Sequence, residues 1–170
     1  KAIFNKAIEW GWNGKNPAVG VKKFKEQARD RFAQGDELPR LFASIEQEPN
    51  QDMQDYFYLS LLTGARKSNI LSMQWKDINF EQNSWRIPET KNGEIVNIPL
   101  LNDAIEILKR RNHAKTAEWV FAGTGKTGHL VEPKSAWKRV LQRANIENLR
   151  IHDLRRTMGS YQAITGASLQ

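Results

Sequence analysis

The spacing of apolar residues changes in one region of the chain, and this change limits the folds that the sequence can adopt. Apolar and polar residues alternate at Trp85 and Ile87 and again from Val96 to Leu100, as expected for half-buried β-strands. Residues 90–93 (Thr-Lys-Asn-Gly) separate the two runs, and Asn-Gly is a strong signal for a tight hairpin turn. Elsewhere the apolar residues recur every three or four positions, which favours amphipathic helices. The sequence therefore predicts a mainly helical protein with one small antiparallel sheet.

The helical spacing, together with the residues that commonly begin or end helices, gives the positions of the predicted helices. They cover residues 1–10, 38–45, 53–61, 67–73, 104–108 and 136–144, and a last helix begins near His152. Asp36 and Asn102 stand where a side chain can cap the first turn of a helix. Gly64 stands where a glycine commonly ends one.

A composition shift near the start predicts a domain boundary. Residues 18–31 are basic and poor in large apolar side chains, which is typical of a linker. We therefore predict that residues 1–31 are the end of one domain with its linker, and that residues 32–170 form a second domain. The chain begins at Lys1, inside a predicted helix, so we expect it to be a piece of a longer protein.

Charge and composition restrict the partners. The formal net charge is +7, which suggests an anionic partner such as nucleic acid, although a basic domain without such a partner fits equally well. The absence of cysteine excludes disulfides and thiolate chemistry, and it is compatible with the cytoplasm. No apolar run approaches the length of a membrane span, so no membrane partner is expected.

Three separated segments carry residues suited to phosphate chemistry. Arg66 follows a glycine turn at the start of a predicted helix, where backbone N–H groups favour an anion. Lys91 lies on the predicted hairpin turn. His152 and Arg155 share a helix face, where arginine can bind two phosphate oxygens and histidine can move a proton. Taken singly, each segment also has an ordinary structural interpretation. Arg66 could be a surface arginine, Lys91 a surface lysine, and the third segment a helix start capped by Asp153.

Together, the four side chains suit phosphodiester chemistry without a metal. Metal-dependent nucleases hold Mg²⁺ with clustered carboxylates, whereas the acidic residues are scattered along this chain. No histidine or cysteine spacing is typical of a zinc site. We therefore expect neither a metal nor another cofactor.

The sequence resembles the tyrosine recombinases, and among them the phage and prophage integrases. The resemblance rests on Thr-Gly-x-Arg-x-Ser at 63–68, Thr-Lys-Asn-Gly at 90–93 and His-x-Leu-Arg-Arg-Thr at 152–157, in the family's order. It covers nearly the whole chain. It implies an α+β, mainly α-helical catalytic domain with a small antiparallel three-stranded β-sheet at residues 32–170. Residues 1–31 would be the end of the N-terminal core-binding domain and its linker.

The resemblance also implies an activity. The family carries out site-specific recombination of double-stranded DNA, with several protomers on the DNA, and so integrates or excises mobile elements through a 3′-phosphotyrosyl intermediate. Arg66 and Arg155 match the arginines that hold the scissile phosphate. Lys91 matches the lysine that protonates the leaving 5′ oxygen, and His152 matches the histidine that contacts the phosphate and assists proton transfer.

The sequence departs from the family pattern in two places. Asn69 stands where many members have an acidic residue, and we expect its amide to form a hydrogen bond instead. None of the three tyrosines, Tyr56, Tyr58 and Tyr161, matches the nucleophile. We expect the nucleophile beyond Gln170 and therefore expect this chain alone to be inactive in strand cleavage.

Two other interpretations are compatible with the composition. A catalytically dead prophage remnant would keep the fold and bind DNA without chemistry. A basic protein-interaction domain would explain the charge but none of the motifs. The joint presence of Arg66, Lys91, His152 and Arg155 favours the recombinase, because a protein that only binds has no need of that set.

Overall fold

A small antiparallel sheet lies in the middle of the chain, with helices before and after it. The computed structural model describes residues 1–22, 24, 29–88, 94–113 and 117–166. The helices within these ranges are α1 (Ala2–Glu9), α2 (Glu37–Glu46), α3 (Gln51–Thr63), α4 (Lys67–Leu71), α5 (Asn102–His113), α6 (Lys134–Ala144) and α7 (Ile151–Ile164). The strands are β1 (Ile78–Asn79), β2 (Ser84–Ile87) and β3 (Val96–Pro99). The predicted α+β, mainly helical class with a three-stranded antiparallel sheet is confirmed.

The sheet has the order β1-β2-β3, and β2 pairs with both neighbours in antiparallel orientation. Trp85 and Ile87 are buried on one face of β2, whereas Arg86 between them is exposed. This alternation is the one that the sequence predicted for the segment. The predicted Thr-Lys-Asn-Gly turn at residues 90–93, which includes Lys91, lies outside the described residues.

α3 is the central helix, and it contacts α2, α4, α5 and α7. Its buried aromatic side chains join separate parts of the core. Phe57 packs on Trp137 of α6 with ring centroids 5.1 Å apart, and Tyr56 meets Phe121 edge to face at 5.9 Å. The C-terminal end of α3 is therefore fixed from several sides, which matters because the candidate site begins there.

The helix ends agree only partly with the predicted caps. Gly64 ends α3 in the left-handed conformation, as predicted. Asp36 precedes α2 but makes no capping hydrogen bond, and its carboxylate pairs instead with Arg40 at 3.3 Å. The Glu37 carboxylate accepts a hydrogen bond from the backbone N–H of Gln34, at 2.8 Å. α4 ends at Leu71, shorter than the predicted 67–73, and Asn102 is the first residue of α5.

The end of the predicted linker contacts the second predicted domain, because Arg29 binds Asp153 of α7 at 2.8 Å and Arg31 binds Glu37 of α2 at 2.5 Å. The backbone N–H of Ala33 donates a buried hydrogen bond of 2.9 Å to Oγ1 of Thr157 on α7. The proposed division at residue 31 stays a prediction. Across the described ranges, no helix combines the length and the apolar character needed to span a bilayer.

Candidate phosphate-binding site

The site begins at the turn between α3 and α4. Gly64 has φ 57° and ψ 16°, a left-handed conformation that glycine adopts without the steric penalty of a Cβ. A Cβ on Gly64 would lie 3.3 Å from Cγ of Met158, so the turn also packs closely against α7. Two residues later, Arg66 has extended backbone angles and directly precedes α4. Its side chain is half-buried and makes no hydrogen bond to any residue that the structure describes.

Arg155 reaches the same turn from α7. Its Nη1 donates a hydrogen bond of 2.9 Å to the carbonyl oxygen of Gly64. A guanidinium has five N–H groups, and within the described ranges only this one has a protein partner. The contact fixes the orientation of the guanidinium and leaves most of its donors for an anion. Arg155 therefore contacts the turn that precedes Arg66.

His152 lies one turn before Arg155 on α7 and is exposed. Residues three apart on a helix differ by about 60° around its axis, so both side chains leave α7 on one side. The ring of His152 makes no hydrogen bond to the described part of the chain. The structure thus brings Arg155 to the turn of Arg66 and places His152 beside it, without direct hydrogen bonds among the three.

Asn69 lies near the base of the β2–β3 hairpin. It lines a cavity of about 280 Å³ together with Pro88, which follows β2, and with Trp119. Its amide forms no hydrogen bond to the residues that the structure describes, so the expected bond is not found among them. Lys91 itself lies outside those residues, and its position relative to the arginines stays a prediction.

A buried carboxylate supports the start of α7. Asp153 accepts hydrogen bonds from Nε and Nη2 of Arg29, from Nη1 of Arg156 and from the backbone N–H of Arg150. Burial alone would raise the pKa of Asp153, but these hydrogen bonds and charges outweigh it and lower the pKa. Asp153 is therefore ionised. In the sequence it lies between His152 and Arg155. The sequence predicted only an aspartate cap here and gave no sign of the contact with Arg29.

A second buried carboxylate, that of Glu48, reduces the net positive charge on one face of α6. Glu48 is fully buried and binds both Arg139 and Arg143, the latter at 2.8 Å. The polar face of α6 carries four cations, Lys134, Lys138, Arg139 and Arg143, and the two arginines share the single negative charge of Glu48. The pattern of α6 alone overstated the positive charge that this helix offers to a partner.

None of the tyrosines lies with the arginines. Tyr161 packs edge to face on Phe32, with ring centroids 6.4 Å apart. Tyr58 donates a hydrogen bond of 3.2 Å to Glu46 on the surface of α2. Burial raises the pKa of Tyr56 to about 12, and burial with the Glu46 charge does the same for Tyr58. High phenol pKa values favour the protonated form, which is the opposite of an activated nucleophile.

This combination of fold and arginines defines a class of protein. The Phage integrase family model matches residues 31–170, and the chain belongs to that family. Its fold is that of the tyrosine recombinase catalytic domain. The solved structure of the Tn1549 transposon integrase in complex with circular intermediate DNA has a TM-score of 0.72 and 17% identity. The match covers 99% of this chain and 65% of that one.

Two curated relatives show membership of the same family by their sequence identity to this chain. The prophage integrase IntF of Escherichia coli strain K12 is 31% identical over 135 residues, which are 77% of this chain and 29% of that protein. The shufflon-specific DNA recombinase of Escherichia coli is 32% identical over 159 residues, which are 91% of this chain and 39% of that protein. The chain thus spans less than half the length of either relative.

Proposed function

We propose that the protein carrying this chain is a tyrosine-type site-specific recombinase that cuts and rejoins double-stranded DNA to integrate or excise a mobile element. The observation that carries this proposal is the hydrogen bond from Arg155 to the Gly64 carbonyl, because it joins the two arginine motifs at one turn. The relatives named as a prophage integrase and as a DNA recombinase support the same class of reaction. The DNA complex of the Tn1549 integrase supports DNA as the partner.

In this proposal the arginines bind the scissile phosphate. Arg66 and Arg155 both have guanidinium N–H groups that are free of described protein partners, and two guanidinium groups can stabilise the charge that develops on the phosphate oxygens. His152 contacts the phosphate and assists proton transfer, and Lys91 protonates the leaving 5′ oxygen. No step in this scheme needs a metal or another cofactor.

The nucleophilic tyrosine is proposed to lie outside residues 1–170. Tyr161 faces Phe32, and both other tyrosines have pKa values raised to about 12. The relatives are more than twice as long as the aligned segment, so they have room for further functional residues. We also propose that residues 1–31 end a core-binding domain, that residues 32–170 form the catalytic domain, and that several protomers act together on DNA. A solved structure with a similar fold, that of a lambda integrase dimer bound to a COC′ core site (TM-score 0.66, 19% identity), supports that last point.

The first test of the proposal is phosphate binding. The Arg66→Ala, Arg155→Ala double variant should bind duplex DNA more weakly, and its plot of log affinity against log salt should be less steep by about one unit for each lost contact. Lys109→Ala is the matched control, because it removes an exposed charge from α5, which carries none of the site residues. An unchanged slope in the double variant, or an equal loss in the control, would count against a phosphate role.

The second test is strand cleavage. The full-length protein should form a covalent adduct with a suicide DNA substrate, and Arg155→Ala in that protein should slow adduct formation by orders of magnitude. A full-length protein that binds DNA through the same arginines but never forms an adduct would instead support the catalytically dead DNA-binding remnant.

A further inference from the structure

One face of α7 is covered by residues 29–33, the segment that precedes α2. Asp153, Thr157 and Tyr161 are four residues apart and therefore lie on one side of α7. Their partners come from a single stretch of chain: Arg29 binds Asp153, Ala33 binds Thr157, and the ring of Phe32 packs on Tyr161. Residues 29–33, at the end of the predicted linker and the start of the predicted catalytic domain, thus run along α7 on the side away from His152.

Arg29 makes the most specific of these contacts. Its Nε and Nη2 reach the Asp153 carboxylate at 3.0 and 2.8 Å, and its Nη1 reaches Oδ1 of Asn148 at 3.1 Å. Nη2 also bonds to the Asn148 carbonyl oxygen. The Arg29 side chain is 23% exposed and that of Asp153 is fully buried. One guanidinium therefore ties the loop before α7 to the first turn of the helix.

The geometry of α7 transmits this contact to the site. Asp153 lies between His152 and Arg155, and an α-helix fixes the angle between neighbouring side chains at about 100° per residue. Holding the carboxylate of Asp153 therefore fixes the rotation of α7 about its axis and, with it, the directions of His152 and Arg155. A small rotation would shift the Arg155 guanidinium relative to the Gly64 carbonyl that it contacts.

We propose that Arg29 is a positioning residue for the phosphate site. Through Asp153 it couples the segment before the catalytic domain to the helix face that carries His152 and Arg155. This inference rests on the proposed function of that face. It assigns to Arg29, 37 residues before Arg66 in sequence, an effect on catalysis without contact with DNA or with the reacting atoms.

A second buried ion network provides the matched control. Glu48 is also fully buried and is held by two arginines, of which Arg143 is 29% exposed, close to the 23% of Arg29. The Glu48 network joins α6 to the chain between α2 and α3 and does not include α7. Loss of either arginine leaves a buried carboxylate with fewer partners, so both changes should destabilise the fold. Only the loss of Arg29 should disturb the site.

The test compares Arg29→Gln with Arg143→Gln in the full-length protein. Both should lower the melting temperature. At saturating DNA, Arg29→Gln should slow single-turnover adduct formation at least tenfold while changing the Kd for DNA less than threefold. Arg143→Gln should leave the rate within twofold. An unchanged rate in Arg29→Gln, or equal losses in the two variants, would overturn the proposal.

Hydrogen exchange separates failure of this inference from failure of the proposed function. A wild-type protein without adduct formation would refute the recombinase activity, but the coupling would still be testable. Arg29→Gln should then speed amide exchange in residues 151–157 relative to α6, whereas Arg143→Gln should not. Unaltered exchange in residues 151–157 would refute the coupling.

Discussion

Replacement of Gly64 by alanine tests the close contact on which the site geometry depends. The φ of 57° is a left-handed conformation that costs a residue with a Cβ about 1–2 kcal/mol. The new Cβ would also lie 3.3 and 3.4 Å from Cγ and Cβ of Met158, which is tight enough to require a small shift of α7. We expect a total loss of about 1–3 kcal/mol in the free energy of unfolding.

Gly159→Ala provides the control for this prediction. Gly159 lies inside α7, and a Cβ there would meet no atom within 4 Å. Alanine is a better helix former than glycine, so this variant should gain roughly 0.5–1 kcal/mol. Urea unfolding of both variants at one temperature measures the difference. For a chain of this size, each kcal/mol corresponds to roughly 2–4 °C in melting temperature.

The stabilities of the two variants relative to the wild type decide whether this prediction holds. Gly64→Ala should be less stable than the wild type, and Gly159→Ala more stable. If Gly64→Ala were neutral, the turn could not have the left-handed backbone and the close approach to Met158 described above. The hydrogen bond from Arg155 to the Gly64 carbonyl, which depends on the same approach, would then lose its structural basis.

Two further predictions concern ionisation. The lowered pKa values of Asp153 and Glu48 contribute stability that is complete above their ordinary values of 3.8 and 4.5 and is lost as the pH falls through the lower folded-state values. Unfolding free energy measured from pH 7 to pH 3 should therefore decrease on acidification, and Asp153→Asn should flatten the curve; an equally steep curve in that variant would contradict this. Tyr56 and Tyr58 should titrate near pH 12 in a spectrophotometric titration of the folded protein, and Tyr58→Phe should remove one of these two phenols. Two phenols that ionise near pH 10 in the native state would refute the burial argument.

Local patterns in the sequence were sufficient for much of the architecture. The alternation around Trp85 and Ile87 predicts β2 because the side-chain period of a strand is two, and one face of this sheet is buried. Gly64 is found at the predicted helix end because a left-handed residue strongly favours glycine. β1 has two residues, too few for any alternation to be visible, so the residues there do not predict a strand.

The contacts that support the site could not be predicted in the same way. Arg29 and Asp153 are 124 residues apart, and no local period relates them. The contacts of the basic side of α6 are likewise not visible in the local sequence. Arg139 and Arg143 lie on that side of the helix, and both bind Glu48, because a buried carboxylate needs partners wherever the fold places it. Local sequence therefore indicated the candidate phosphate-binding residues but not the contacts that hold them in place.

The last prediction concerns Tyr161, which is close to Arg155 in sequence. The two residues are six positions apart on α7, which corresponds to about 120° around the helix and about 9 Å along it. Tyr161 faces Phe32, and its hydroxyl lies 3.8 Å from the position of a Cβ on Gly35. An in-line attack requires the phenol oxygen and the bound phosphate to be in contact, and a rigid helix does not allow that from this face.

Residues 1–170 should therefore give no covalent adduct with a suicide DNA substrate, and Tyr161→Phe in the full-length protein should leave adduct formation unchanged. The loss of the hydroxyl removes no hydrogen bond found among the described residues, and the ring contact with Phe32 is kept, so stability should also change by less than about 0.5 kcal/mol. Mass spectrometry of the DNA-linked peptide identifies the nucleophile directly. A phosphotyrosyl bond at Tyr161 would show that α7 rotates or unwinds on DNA by about a third of a turn, and the assignment of Asp153 and Arg29 as the contacts that fix this helix would then be wrong.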